Sequence, residues 1–196
     1  QTDEPDEKLE GPALYLTIGT SLLLGALLFF VAPASISHFI EQWGAVSPWV
    51  GNLIEGLLRV IIMIVYLLAI RRIPDIKRVF MYHGAEHKTI NAFEAGSELT
   101  PQAVACHTLF HPRCGTGFLL TVVLFSIIIF SLLGPLSLTA RLISRILFIV
   151  PLASISYEYI RWTSKHLGNP IVNMMVKPNL WLQKLTTAEP TPEMLE

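Results

Sequence analysis

The chain has 196 residues, 52% of them hydrophobic and 15% charged, with a formal net charge of −1. Its mean hydropathy of +0.54 comes from long apolar runs, which is a membrane signature and argues against an ordinary soluble domain. The balanced charge offers no basic surface for nucleic acid, and two cysteines, Cys106 and Cys114, are too few for a disulfide framework.

Residues 1–12 form a polar N-terminal segment. It is acidic, contains Pro5 and has no basic start of the signal-peptide kind, so the sequence reads as a fragment. Residues 14–31 are apolar and predict a first transmembrane helix ending at Pro33, and residues 50–70 predict a second. Residues 13–71 then make one helical hairpin in the membrane. Glu55 and Arg59 stand four apart inside the second span, where an intrahelical pair avoids an unpaired charge in lipid. Asn52 belongs with this pair, and Arg145 is a further partner for Glu55. A polar path through the membrane is the competing reading.

Residues 72–116 form a polar loop between the second and third spans. Within it, residues 75–95 predict a helix, with Pro74 at its start and Gly96 just past its end. Ile76, Val79, Phe80, His83, His87 and Ile90 fall on one side, so the helix is amphipathic and suits a membrane interface. A short second helix is predicted at 98–106. Residues 118–133 predict a third, rather short span closed by Gly134-Pro135, and 142–160 a fourth, kinked by Pro151. These two make a second hairpin at 117–161. Residues 162–196 are a C-terminal segment whose end, from 186 on, is polar with Pro190 and Pro192 and reads as a tail. The expected fold is an all-α integral membrane bundle of four transmembrane helices with an amphipathic helix between spans two and three.

Lys and Arg set the orientation. The middle loop carries Arg71, Arg72, Lys77, Arg78, Lys88 and Arg113, and the C-terminal segment carries Arg161, Lys165, Lys177 and Lys184, whereas residues 33–49 have neither Lys nor Arg. By the positive-inside rule the middle loop and both termini are cytoplasmic. Arg141 and Arg145 run against this pattern without reversing it. Trp49, Trp162 and Trp181 fit interfacial belts.

His83-Gly84-Ala85-Glu86-His87 reads H-x-x-E-H. Two imidazoles four apart share a helix face and reach one metal ion, and in zinc hydrolases of this inverted motif the Glu is general base. The competing reading is a pair of solvated or aromatic-packed histidines. His111 and Cys114, just before the third span, are good donors for zinc or another divalent transition metal. Glu158, near the inner end of the fourth span, is another candidate ligand, set against an ion pair with Arg161 or Arg113. Arg113 could stabilise an oxyanion. Glu94 shares the face of His87 but lies about 10 Å along the axis from the metal motif, which suits a supporting or surface role. Cys106 and His107 are further donors of ordinary character. The predicted topology brings His83, His87, His111, Cys114 and Glu158 to one membrane boundary.

Arg72-Ile73-Pro74-Asp75, the run from Met81 through His83-Gly84-Ala85-Glu86-His87 to Thr89, His111-Pro112-Arg113-Cys114-Gly115-Thr116, and Trp181-Leu182-Gln183-Lys184-Leu185-Thr186-Thr187 together resemble the YqhQ-like family. The resemblance covers most of the chain, although Gly117 stands where a Ser is expected and the N-terminus looks shorter. It implies a bacterial plasma-membrane protein that depends on a metal, with no established substrate.

Three functions compete. The first is a zinc-dependent hydrolase at the cytoplasmic membrane face, acting on a membrane protein or a lipid-linked substrate. In it His83 and His87 hold the metal, Glu158 or the His111/Cys114 pair completes the ligand set, and Glu86 is the base. The second is a scaffold or assembly factor with a closed structural site of His83, His87, His111 and Cys114. The third is a small oligomeric proton or ion transporter using the histidines, Glu158 and the Glu55/Arg59 pair.

Overall fold

A computed structural model describes residues 11–44 and 46–196. The expected N-terminal segment at 1–12 therefore lies almost wholly outside the described residues. Their regular structure is helical, with no strand among the described residues. Three helices are long and apolar enough to cross a membrane, or four if one bent pair is a single broken span.

The first is α1 (Pro12–Ala26), which runs on through a π-helical turn (Leu27–Val31) into α2 (Ala32–Gly44). Pro33 was expected to end this helix, yet the helix continues for another eleven residues to Gly44. Pro33 has no N–H to offer the Phe29 carbonyl one turn earlier. That oxygen instead accepts a hydrogen bond from Arg59 Nε at 2.9 Å. A residue from the next helix thus satisfies a backbone group that would otherwise stay unpaired.

Next come α3 (Pro48–Ile70), which packs on α2, and α6 (Gly115–Leu132), which packs on α3. The expected fourth span is split into α7 (Leu138–Leu147) and α8 (Ile149–Lys165), bent by 46°. The break falls at Phe148, three residues before Pro151, because a proline ring clashes with the carbonyl four residues back, here Leu147. The last helix, α9 (Pro170–Thr186), was not foreseen. It runs antiparallel along α6, with Asn179 Nδ2 donating to Thr121 Oγ1 at 3.0 Å and Thr186 Oγ1 lying 3.2 Å from Thr116 Oγ1. Gly117 permits this approach, since a Cβ there would sit 3.1 Å from Asn179 Cβ.

At the α7 end of the bundle Glu55, Arg59, Arg141 and Arg145 are buried, with Glu41 partly buried beside them. Glu55 accepts from Arg59 at 3.0 Å and from Arg145 at 2.6 and 2.8 Å. Arg145 also donates to Asn52 Oδ1 at 3.1 Å, and Arg141 Nη2 reaches both oxygens of Glu41 at 2.8 Å. The expected Glu55–Arg59 pair is thus one part of a wider network, and the two arginines that ran against the charge pattern are neutralised inside it.

At the opposite end, α4 (Pro74–Glu94) and α5 (Pro101–Ala105) form the inserted segment. Gly96, at φ +67°, closes α4 as expected: Gly96 N–H donates to Phe93 O and Ser97 N–H to Ala92 O. The buried face of α4 overlaps the predicted stripe at His87 but is shifted from it. Gly84, Ala85, His87, Lys88 and Ala92 are buried, while Val79 is 57% exposed. The reason is the C-terminal strand of chain after α9. It crosses α4 with Ala188 N–H donating to Phe80 O at 2.9 Å, and a Cβ on Gly84 would come within 2.1 Å of Ala188 O. Small residues face this crossing, so residues expected to be a free tail are packed structure.

Candidate metal centre

Cys114 is the N-cap of α6, and its Sγ accepts from Thr116 N–H at 3.4 Å. His83 and His87 stand one turn apart on α4, as their spacing requires. The donor atoms of His83, His87 and Cys114 all lie within 4.8 Å of one another. His83 Nε2 is 3.2 Å from Cys114 Sγ.

The other ring nitrogens explain why these three converge. His83 Nδ1 donates to Thr186 O at 2.9 Å, and His87 Nδ1 donates to Leu109 O at 2.5 Å. A carbonyl accepts only from N–H, so both neutral rings carry the proton on Nδ1 and turn the Nε2 lone pair toward Cys114. This backbone anchoring is the usual support of metal-binding imidazoles. Tetrahedral zinc bonds of 2.0–2.3 Å separate neighbouring donors by about 3.5 Å, so the observed spacings, from 3.2 Å to at most 4.8 Å, fit one ion after small adjustments.

The chain on either side of Leu109 is itself fixed. Asn91 Nδ2 donates to Thr108 O at 2.9 Å and Phe110 O at 3.1 Å, and Lys88 Nζ donates to Ala105 O at 2.8 Å. Gln183 is fully buried on α9, and its amide grips His111 from both sides: Nε2 donates to His111 O at 2.8 Å and Oε1 accepts from His111 N–H at 3.0 Å. The loop from Cys106 to Cys114 is thereby clamped between α4 and α9.

The electrostatics favour a cation. Burial pushes the Cys114 thiol up, but hydrogen bonding with His83, His87 and Thr116 outweighs it and holds the thiol at about 5, because a proton passed from sulfur to an imidazole Nε2 is donated back to the thiolate. Its place at a helix N-terminus acts in the same sense. The bond to Cys114 raises His83, against the opposing effect of burial. Burial lowers His111, opposed by Glu94.

His111 lies beside the cluster, its ring centroid 6.0 Å from that of His87. Its buried Nε2 makes no hydrogen bond and faces Glu94 Oε1 at 3.5 Å. A cavity of about 340 Å³ opens over the three donors and is also lined by Glu86, Glu94, His111 and Arg113. Arg113 pairs with Glu94 at its rim. The cluster therefore has donors on one side and a polar chamber on the other.

Not every predicted residue joins. Glu158 stands apart on α8, where its carboxylate pairs with Arg161 at 3.3 Å and is 64% exposed. That was the competing reading for this residue: a carboxylate at the exposed end of a helix takes the nearest cation, here one turn along. Cys106 is exposed, and His107 bonds Ser97 Oγ at 3.0 Å. Thr186, Thr116, Gln183 and Asn91 were not singled out. Thr116, Gln183 and Thr186 do fall in the runs that carry the family resemblance, but a backbone carbonyl that orients a ring leaves no mark on the sequence.

The family model described as "Protein of unknown function (DUF1385)" matches residues 1–196. "Uncharacterized protein YqhQ" of Bacillus subtilis (strain 168) is 31% identical over 198 residues, covering 99% of this chain and 62% of that protein. The chain thus spans less than two thirds of the length of that relative. No solved structure matches it.

Proposed function

The chain belongs to the DUF1385 family, and from the geometry of its site we propose that it is a metal-dependent hydrolase working where a membrane meets the cytoplasm. The supporting observation is the pair of anchored imidazoles, whose free nitrogens point at one thiolate beneath an open polar chamber. His83, His87 and Cys114 would hold zinc or another divalent transition metal. Three protein donors leave one position free, as a catalytic site needs. Zinc in such a position supplies Lewis acidity and brings the pKa of water to about 7. Glu86 lines the chamber and takes the proton of the attacking water. Arg113 meets negative charge that develops on the substrate. His111 serves the chamber, since its free nitrogen is directed at Glu94. The placement of Lys and Arg supports a cytoplasmic position for α4, α5 and both ends of the chain.

Metal analysis together with X-ray absorption tests this reading. The expected result is one transition metal per chain with two nitrogen, one sulfur and one oxygen neighbour. His83→Ala and Cys114→Ser should lose the metal and Glu86→Gln should keep it. Absence of metal from protein purified without chelators would overturn the proposal. A fourth protein donor in place of the oxygen would instead make the site structural, and the protein a scaffold.

One observation favours a second reading. His83 Nε2 lies 3.2 Å from Cys114 Sγ, and Thr186 O orients the ring from behind. That is a nucleophile, base and orienting group in order, with a thiolate stable at neutral pH. In this reading Cys114 attacks an acyl group directly, without metal. Active protein that is free of metal and is inactivated by alkylation of Cys114 would select it.

A further inference from the structure

A second cavity, of about 540 Å³, lies within the helical bundle. One wall is a face of α1 and the π turn, formed by Leu22, Gly25, Ala26, Phe29 and Phe30. α3, α6, α8 and α9 supply the remaining walls. From Thr116 to Phe130 it follows α6 for about 20 Å at 1.5 Å per residue. Its lining is almost entirely apolar. Arg59 reaches it, but all three guanidinium nitrogens are engaged, by Phe29 O, Ser126 Oγ and Glu55. At the other end stand Thr116 and Thr186. Thr116 Oγ1 is 3.1 Å from Cys114 Sγ, and Thr186 O is the acceptor that holds His83. The apolar cavity therefore ends against the back of the metal centre.

We propose that this cavity seats one hydrocarbon chain of a membrane amphiphile, with the polar head of that molecule delivered to the His83–His87–Cys114 site. Three observations carry the choice of occupant. First, an apolar space of this kind does not hold water, and leaving it empty would forfeit the dispersion contacts of its lining. Second, its proportions suit a chain. It is elongated, following α6 for about 20 Å, and an extended peptide would bring backbone groups that this lining cannot satisfy. Third, the polar groups at the Arg59 end are engaged by one another, whereas the end at Thr116 and Thr186 abuts the candidate metal centre, so an amphiphile has one orientation available. Leu23 and Leu24, which do not line the cavity, are 58% and 61% exposed, so the α1 wall is apolar on its outer side too. That the seated lipid is also the substrate rests on the hydrolase reading above. That a lipid chain seats there does not.

The test uses the full chain in vesicles of phosphatidylcholine and phosphatidylglycerol doped with a phospholipid that carries a diazirine late in one acyl chain. After photolysis, peptide mass spectrometry should find label on the cavity face of α6, at Val122, Val123 and Ser126, as well as on exterior residues such as Leu132. Gly25→Trp fills the cavity, since a Cβ at Gly25 has nothing within 4 Å. It should cut the cavity label by on the order of tenfold, because the ring takes the space of the chain, and leave exterior label and metal content unchanged. His83→Ala should remove metal and leave cavity label unchanged. If Gly25→Trp fails to fold, Ala26→Phe on the same wall is the substitute. Cavity label that is absent, or equal in wild type and the filled variant, overturns the proposal. Cavity label in a protein that binds no metal upholds the lipid seat and removes the hydrolase reading alone.

Discussion

At the scale of single residues the site is made by what each imidazole does with its second nitrogen. Thr186 O and Leu109 O fix both protons on Nδ1, and the geometry toward Cys114 follows. The acidic thiol gives a pH test. A thiol held at about 5 is mostly ionised above that pH and protonated below it. In metal-free Cys106→Ser protein, alkylation of Cys114 should therefore rise through a midpoint near pH 5, followed by the thiolate absorbance. Because metal replaces the proton on sulfur, metal affinity should fall as pH drops through the same range. Gln183 offers a second test. Gln183→Leu frees the His111 loop without touching a ligand, and metal affinity should fall about 10- to 100-fold by competition with a chromophoric chelator, as for other outer partners of metal sites.

At the scale of elements, α4 is positioned by two crossings it could not announce. The chain after α9 passes over Gly84, and the loop after α5 is tied down by Lys88 and Asn91. Gly84→Val would push Ala188 away and cost on the order of 1–3 kcal/mol by overpacking. The expected signs are faster hydrogen exchange at the Ala188 amide and a proteolytic cut after Thr187, both with loss of metal, since Thr186 moves with the strand. Pro33 makes the same point at the start of α2. The helix runs on past it, and the Phe29 carbonyl that Pro33 leaves free accepts from Arg59 on another helix.

At the scale of the whole molecule, two polar regions sit at opposite ends of one apolar bundle. The network of Glu41, Glu55, Arg59, Arg141 and Arg145 lies about 20 Å along α3 from the end that meets α4. Removing one partner of a buried ion network leaves an uncompensated charge and costs about 3–5 kcal/mol. Glu55→Gln should therefore lower the thermal midpoint in detergent sharply while the folded fraction keeps its metal. Loss of metal with unchanged stability would join the two regions functionally and contradict a purely structural network.

Some of this was fixed by the sequence alone. Long apolar runs require helices in lipid, so the all-α class and the apolar spans followed from hydropathy. The i, i+4 histidines required a shared face, and Glu55 with Arg59 required a partner. Pro74 and Gly96 marked the ends of α4. These features are local, and chain chemistry within one or two turns decides them. Only the tertiary structure decided which donors meet. Cys114 joined the histidines and Glu158 did not, although both were placed at one boundary, because convergence within 5 Å depends on how α4, α6 and α9 pack. The carbonyls of Thr186 and Leu109, the amide of Gln183 and the cavity behind Thr116 arise between segments far apart in the chain. Periodicity and composition describe one segment at a time, so they carry no information about such meetings.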